Sequence, residues 1–260
     1  MTFVQVSSFT EDVFGGNPAG VCLLGESGGW PNDGLLQNIA AQVNLSETVF
    51  VLKRGGEYLL RWFTPTVEVD LCGHATLAAA HVIFGDCDEG SLLFKSSLHT
   101  LPVEKEKGKI VLDFPMAEIR QLDLDAVPRC FNYIPQEVWT GRDEYLLVFK
   151  TEDEIRNIVC APEIAKKSEM SGFIVTAKSS MPGIDFVSRY FGPKIGIDED
   201  PVTGSAHTLL VPYWKNIFGK NEFRAKQLSK RGGDLFCAAC GDRVKIAGCA
   251  VTFLRGEIVL

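Results

Sequence analysis

The most constraining feature of this sequence is an internal repeat. Residues 59–85 read LLRWFTPTVEVDLCGHATLAAAHVIFG, and residues 185–219 read DFVSRYFGPKIGIDEDPVTGSAHTLLVPYWKNIFG. Both run through Arg, an aromatic residue, Phe, one further residue and Pro, and then through an acidic loop and a glycine into an apolar segment. Ordered similarity of this kind indicates two copies of one structural unit. A polar stretch with a proline at 117–129 predicts domains of residues 1–116 and 117–260, with the last strand free to pack back on the first domain.

The rest of the sequence predicts mostly strands around two helices. Short runs of β-branched and aromatic residues, such as KIVLDF and GFIVTA, are typical of strands. HATLAAAHVIF is apolar on nearly every side, which predicts a helix buried all round. The fold class is therefore α+β, with two similar halves that each wrap a mostly antiparallel, barrel-like sheet around one central buried helix. Pro212 lies inside the second helix and is expected to kink it or to end it early.

Charge and composition exclude several classes of partner. The net charge is −7 and neither sign forms a long block, so a nucleic acid or an anionic membrane surface is not expected as the partner. The first residues lack the features of a signal peptide, and no apolar run approaches the ~20 residues of a membrane span. We therefore expect a cytoplasmic protein whose eight cysteines are mostly reduced. Cys237 and Cys240 form a C-x-x-C without a second pair at zinc spacing, so no metal is expected.

Gly73 and Gly204 each lie at the start of one of the two apolar segments. A helix N-terminus presents unpaired N–H groups and a positive dipole end, and a glycine there lets a ligand approach the backbone. Two related helix starts predict a small carboxylate ligand held between the halves. Capping by a hydroxyl side chain is the simpler alternative. The presence of His74, Asp200 and Ser205 at the same two places favours the ligand, whereas a packing role is expected for His207.

Four ordered motifs carry a family resemblance that extends over nearly the whole chain. FGGNPAGVCLL, NLSETVF, LRWFTPTVEVDLCGHATLAAAHV and SRYFGPKIGIDEDPVTGSAH resemble the PhzF-like (phenazine biosynthesis-like) family, and its animal members most of all. The fold of that family resembles diaminopimelate epimerase. The resemblance implies an isomerase that needs no cofactor, moves a proton between carbons of a small cyclic carboxylic acid, and is often a homodimer.

The resemblance also implies site residues. The glutamate of NLSET would be the catalytic acid and base, and further catalytic and substrate-binding groups would surround it. The catalytic set is Glu47, His74, Asp200 and Ser205, and the substrate-binding set is Ser46, Gly73 and Gly204. These residue types suit the reaction, because proton removal from carbon needs a base together with donors that stabilise the electron-rich intermediate.

Two alternatives stay open. Cys72 stands directly before Gly73, where related epimerases and proline-racemase-like enzymes carry a catalytic thiol, so Cys72 is an alternative base in a cysteine-dependent racemase or dehydratase. Thr203 at the second helix cannot supply a partner thiol, which disfavours a two-cysteine racemase. The other alternative is a metabolite- or protein-binding scaffold without turnover, but the presence of all four predicted catalytic residues favours retained catalysis.

Overall fold

The computed structural model describes residues 1–25, 28–87 and 90–260. In chain order the elements are β1 (Thr2–Ser8), β2 (Asn17–Leu24), α1 (Asp33–Val43), β3 (Glu47–Arg54), β4 (Glu57–Phe63), β5 (Glu68–Val69), α2 (Gly73–Asp86), β6 (Ser91–Lys95), β7 (Thr100–Glu106), β8 (Lys109–Pro115), β9 (Arg120–Leu122), β10 (Glu137–Gly141), β11 (Glu144–Val148), α3 (Glu152–Asn157), α4 (Pro162–Ala165), β12 (Gly172–Lys178), β13 (Phe186–Gly192), β14 (Ile197–Asp200), α5 (His207–Phe218), β15 (Glu222–Gln227), β16 (Gly233–Cys240), β17 (Arg243–Gly248) and β18 (Ala250–Glu257). Among the helices in these ranges, none is long and apolar enough to cross a membrane.

The chain divides into two compact units. Residues Met1–Asp113 and Ala247–Leu260 form the first unit, and Phe114–Ile246 form the second. The division lies close to residue 117, where the sequence predicts the boundary. The last strand, β18, belongs to the first unit and pairs antiparallel with β1.

In the first unit, the sheet surrounds helix α2. The helix packs against β1, β2, β3 and β18, and nearly all of its residues are buried, as its apolar composition predicts. Helix α1 covers the opposite face of the sheet. There Leu36 and Ile39 pack with Phe50 and Phe63 in a separate apolar cluster. Side chains that alternate along β3 therefore serve two layers of core.

The second unit is built in the same way around α5. Trp214 of this helix stacks on Phe186 of β13 with ring centroids 5.5 Å apart, and its indole N–H donates to Thr176 Oγ1 at 3.1 Å. Helices α3 and α4 cover another face, where Ile155 and Phe173 belong to one apolar cluster. Each unit thus has one enclosed helix and one outer helical layer.

The strand pairing shows that the repeat in the sequence is a repeat of structure. In the first unit β2–β3 is parallel, β3–β4 antiparallel, β4–β6 parallel and β6–β7 antiparallel. In the second unit β11–β12, β12–β13, β13–β15 and β15–β16 follow the same series. The predicted α+β class with two similar halves is confirmed.

The repeated arginines have repeated partners. Arg61 Nε donates to Glu68 at 2.7 Å, and Arg189 Nε donates to Glu199 at 2.6 Å. In both units the arginine lies on the strand before the acidic loop, and the glutamate lies on the short strand within that loop. The pair therefore fixes the path of the chain towards the enclosed helix.

The start and the middle of α5 differ from the prediction. The helix begins at His207, because residues 204–206 form a tight turn in which Gly204 O accepts from His207 N at 3.0 Å. The helix also does not end early at Pro212 but continues to Phe218. Proline cannot donate to Thr208 O one turn earlier, and this carbonyl instead accepts from Ala117 N at 3.1 Å.

Candidate active site

Three of the predicted residues lie together in the first unit. Glu47 is the first residue of β3, Cys72 is the N-cap of α2, and His74 is the second residue of α2. One ligand atom from each side chain lies within 4.8 Å of the others. The helix start and the strand start thus bring a carboxylate, a thiol and an imidazole to one place.

The contact between Glu47 and His74 is short and enclosed. Glu47 Oε2 lies 3.1 Å from His74 Nε2, and the exposed fractions of the two side chains are 12% and 6%. The contact is an ion pair when His74 is protonated, but neither atom has an aligned hydrogen bond with any described residue. A buried donor and a buried acceptor left without such a bond are costly to the fold. Both are available to a ligand.

Two polar residues position His74, one at the imidazole ring and one at the backbone carbonyl. Asn17 Nδ2 lies 3.2 Å from His74 Nδ1, and Ser8 Oγ donates to His74 O at 2.7 Å. Both residues are fully buried. Cys72 Sγ lies 3.5 Å from the same Nδ1. Since an amide nitrogen is a donor, Nδ1 accepts and Nε2 carries the proton in the neutral form of the ring.

Sequence reasoning missed both of these supporting residues. Asn17 lies in the FGGNPAG motif, which carried the family resemblance but gave no role to its asparagine. Ser8 is an ordinary serine of β1, and nothing in the sequence marks it.

Burial and charge set the protonation of the cluster. Burial and the neighbouring Glu47 carboxylate raise the pKa of the Cys72 thiol. Burial disfavours a charged imidazole, but the Cys72 sulfur and the Glu47 carboxylate outweigh it and raise the pKa of His74 above its usual value. Cys72 is therefore a neutral thiol near pH 7, which makes it a weak nucleophile and a weak base.

The start of α2 adds backbone donors to the same place. Cys72 makes no side-chain capping hydrogen bond, so the first N–H groups of the helix lack that internal partner. Gly73 is buried at this position, and Ser46 beside Glu47 is partly exposed. An anion bound here would meet the positive end of the helix dipole.

In the second unit, Asp200 and Thr203 form a separate polar cluster. Thr203 Oγ1 donates to Asp200 Oδ2. Gln227 is fully buried, and its Nε2 donates to Asp200 O at 2.8 Å while its Oε1 accepts from Thr203 N at 2.9 Å. Gln227 therefore fixes the loop before α5. Sequence reasoning missed it, because a single glutamine at the end of β15 gives no signal.

The remaining predicted residues of this unit lie in the turn before α5. Gly204 is buried, whereas Ser205 is partly exposed, and the Ser205 hydroxyl makes no hydrogen bond to another described residue. His207 Nδ1 lies 3.1 Å from Thr203 O, and burial lowers the pKa of His207 to about 4. His207 is thus neutral and donates to a backbone carbonyl, which is the structural role expected of it.

The family model, the relatives and the solved structure found by comparison with known proteins agree with one another. The family model described as phenazine biosynthesis-like protein matches residues 6–256. An uncharacterised isomerase of Pseudomonas aeruginosa is 43% identical over 265 residues, and the alignment covers 100% of this chain and 99% of that protein. The human phenazine biosynthesis-like domain-containing protein is 36% identical, with 96% of each chain covered. The crystal structure of a PhzF-family phenazine biosynthesis protein from Enterococcus faecalis has a TM-score of 0.92 at 41% identity and covers 100% of this chain and 99% of that one.

Proposed function

Because the chain belongs to the phenazine biosynthesis-like family, we propose that it is a cofactor-independent isomerase. In this proposal Glu47 moves a proton between two carbons of a small cyclic carboxylic acid. A relative named as an isomerase, aligned over the full chain, supports the general class of reaction. The residues of the first unit support the choice of base.

The observation that carries the proposal is the enclosed pair of Glu47 and His74. Their facing atoms are 3.1 Å apart, and neither has an aligned hydrogen bond with a described residue. A purely structural pair of this kind would be expected to satisfy both groups, since an unsatisfied buried polar group costs ~1–3 kcal/mol. A substrate beside the two groups would satisfy them.

The proposed proton transfer uses only groups of the protein. Glu47 removes a proton from a carbon next to a conjugated group, and the electron pair moves into that group. The Nε2–H of His74 and the first N–H groups of α2 donate to the developing negative charge. Glu47 then returns the proton to a different carbon, so the substrate is neither oxidised nor reduced.

The residues of the second unit are proposed to bind the substrate. Asp200, Ser205 and Gly204 are assigned to this role because Ser205 offers a hydroxyl without a bond to the described residues and Gln227 fixes the loop that carries Asp200. Ser46 and Gly73 are assigned to substrate binding beside Glu47. We further propose a cytoplasmic homodimer.

Hydrogen exchange in deuterated water tests this function. A panel of unsaturated cyclic amino and hydroxy acids is incubated with the protein, and deuterium at carbon is followed by NMR and mass spectrometry. We expect exchange for at least one acid and its loss in Glu47→Gln, at least a thousandfold, because the amide cannot accept the proton. Glu163→Gln is the matched control, since Glu163 is exposed and pairs with Lys166.

Other outcomes would replace the proposal. Exchange that survives Glu47→Gln but disappears in Cys72→Ala would assign the chemistry to the thiol. If no acid of the panel is exchanged and none raises the melting temperature, the protein binds a partner without turnover.

A further inference from the structure

Two cysteines of the second unit lie against each other and have no part in the proposed proton transfer. An isolated β-bridge pairs Phe131 with Cys160, and Ala161 N donates to Cys130 O at 2.7 Å. The thiols of Cys130 and Cys160 share a side-chain hydrogen bond. The fold therefore brings two sulfur atoms together from segments that are distant in the sequence.

The approach of these two segments does not depend on the cysteines. Asn132 Oδ1 accepts from Val159 N at 2.7 Å, and Asn132 Nδ2 donates to Asn157 O at 3.2 Å. A disulfide forms without strain only where the backbone already holds the two residues close together. Here the side chain of Asn132 and the β-bridge supply that condition before any covalent bond is made.

The two thiols differ in their access to solvent. Cys130 is 2% exposed and belongs to the apolar cluster that contains Phe149 and Phe173, whereas Cys160 is partly exposed and packs against that cluster. A reagent from solution therefore meets Cys160 first.

The contact between the thiols also makes Cys160 the more reactive of the two. The hydrogen bond from Cys130 lowers the pKa of the Cys160 thiol, although partial burial and the charge of Asp198 oppose this change. The same hydrogen bond, together with burial, raises the pKa of the Cys130 thiol. Since the thiolate is the nucleophile, a partly exposed thiol with a lowered pKa beside a second thiol is typical of redox-active pairs.

The C-x-x-C of the sequence does not have this arrangement. Cys237 and Cys240 lie on the same strand, β16, where their spacing points the two side chains to opposite faces of the sheet. Cys237 is buried and Cys240 is exposed. The pair that the motif indicates is thus not the pair that the fold brings together.

We propose that Cys130 and Cys160 form a reversible disulfide by reaction with low-molecular-weight disulfides such as oxidised glutathione. The Cys160 thiolate attacks one sulfur of the oxidant, whose S–S bond breaks and releases one molecule of glutathione. The Cys130 sulfur then attacks the Cys160 sulfur of this mixed disulfide and releases the second molecule. Both protein thiol protons leave with the two glutathione molecules, so the protein loses two electrons and the oxidant gains them.

The new bond would close residues 130–160 into a covalent loop that contains β10, β11 and α3. A disulfide across a long loop stabilises a protein by restricting its unfolded chain. Because the two thiols already touch in the reduced protein, little native structure has to move. Oxidation is therefore expected to stabilise the second unit.

Peptide mapping of the full-length protein after incubation in glutathione redox buffers tests the pair. The reaction is stopped with acid, free thiols are blocked in denaturant with N-ethylmaleimide, and the protein is digested with trypsin. Cys130 and Cys160 then fall in separate peptides, residues 130–142 and 157–166. We expect a linked peptide pair that grows as oxidised glutathione increases and disappears in excess reduced glutathione.

Variants assign the two steps and the effect on stability. Cys160→Ser should abolish the linked pair, whereas Cys130→Ser should stop at a mixed disulfide between Cys160 and glutathione. Cys240→Ser is the control for an exposed thiol elsewhere and should keep the linked pair. The oxidised protein should melt about 5 °C or more above the reduced one, and this difference should be absent in Cys160→Ser.

Three results would overturn the proposal. These are absence of the linked pair at every redox ratio, oxidation of the unsubstituted protein that stops at a mixed disulfide, and linkage only in protein that circular dichroism shows to be unfolded. If Cys130→Ser does not fold, the unsubstituted protein and Cys160→Ser decide the question, since Cys160 is partly exposed. The disulfide does not rest on the proposed function, so a failure of the isomerase assay leaves this result unaffected.

Discussion

Two buried histidines occupy comparable positions in the repeat but have different surroundings. His74 and His207 both lie in the first turn of an enclosed helix. Near His74 the thiol of Cys72 and the carboxylate of Glu47 outweigh burial and raise the pKa, whereas burial lowers the pKa of His207 to about 4. The surroundings of His74 therefore favour the protonated imidazole, whereas those of His207 favour the neutral one.

Proton NMR of the imidazole signals should show this contrast. The chain has four histidines, so the signals can be assigned with His74→Asn and His207→Asn. We expect His74 to titrate above 6.5 and His207 to stay neutral down to pH of about 4. His74 then stabilises the fold below its ordinary pKa, and this contribution is lost as pH rises through its folded value. His207 has the opposite effect, since stability falls as pH drops from 6.5 towards 4. Equal titration of both would contradict the described surroundings.

A carboxylate outside the candidate site should dominate the acid stability of the second unit. Burial alone would raise the pKa of Glu152, but hydrogen bonds from Ser180 N, Arg156 and the hydroxyls of Ser179 and Ser180 lower it to about 2. A lowered carboxylate pKa stabilises the fold above the ordinary value of 4.5, and the contribution is lost as pH falls through about 2.

Substitution of this carboxylate tests the assignment. Glu152→Gln should lower the free energy of unfolding at pH 7 by about 2 kcal/mol, because it weakens several charge-assisted hydrogen bonds. The loss should shrink between pH 4.5 and 2. Urea denaturation at a series of pH values measures both effects. Glu163→Gln, which removes an exposed ion pair with Lys166, should leave the stability nearly unchanged.

At the scale of elements, the two halves differ at the first residue of the strand that follows the outer helical layer. This strand is β3 in the first unit and β12 in the second. Glu47 begins β3, which pairs in parallel with β2, and Gly172 begins β12, which pairs in parallel with β11. At Gly172 the space of a side chain is filled by Tyr190, whose Oη would lie 2.3 Å from an added Cβ. The second half therefore has no room at this position for a carboxylate equivalent to Glu47.

An added methyl group at this position should be destabilising. In Gly172→Ala the new Cβ would lie 2.3 Å from Tyr190 Oη and 2.7 Å from Cζ, and the tyrosine is buried. Because the ring is enclosed, we expect a loss of about 1–3 kcal/mol, as for other overpacked cores. Tyr190→Phe in the same chain should recover part of the loss by removing the nearest atom.

The matched control is Gly85→Ala, in the last turn of α2. No atom lies within 4 Å of a Cβ added there. Since glycine within a helix is less stable than alanine by about 0.5–1 kcal/mol, this variant should be neutral or slightly more stable. Equal unfolding midpoints in urea for the two variants would contradict the described packing of Tyr190.

At the scale of the whole molecule, the two ends of the chain meet in the first unit. The Met1 amino group donates to Ile258 O at 3.2 Å, and Ile258 N donates to Met1 O at 2.9 Å. Strand β18 pairs with β1 along most of its length. The first unit is thus assembled from both ends of the sequence, whereas the second is continuous.

Removal of residues 249–260 should therefore weaken the first unit and spare the second. The truncation exposes the edge of β1, so amide exchange in β1 should become at least tenfold faster, equivalent to ~1.4 kcal/mol. Exchange in β11 and β12 should stay unchanged. Removal of Val259 and Leu260 alone is the control, since both are exposed. Equal loss of protection in both units would contradict the division described here.

The repeat made most of the architecture predictable. A shared series of Arg, aromatic, Phe and Pro before each enclosed helix was enough to indicate two similar halves, and the apolar composition of α2 was enough to predict its burial. The start of α5 was less predictable. Its position depends on a tight turn at Gly204, and the survival of the helix beyond Pro212 depends on a donor from Ala117, which lies 91 positions from Thr208 in the sequence.

The candidate site was predictable only in part. His74 follows a glycine at a helix start, which is a local signal, but its neighbours come from other elements. Asn17 is 57 positions away in the sequence, and Gln227 is 27 positions from Asp200. Contacts of this kind depend on which strands pair, so the family resemblance indicated Glu47 and no local pattern indicated Asn17 or Gln227.

The first unit consists of two separate segments of the chain, and this division determines when its folding can be completed during synthesis. A ribosome releases the chain from its N-terminus, and domains ordinarily fold in that order. Here every residue of the second unit has been made before Ala250–Glu257, the strand that pairs with β1. Strand β1 must therefore wait with one edge uncovered, and the unit that contains Glu47 and His74 is completed only after Ala250–Glu257 has been translated.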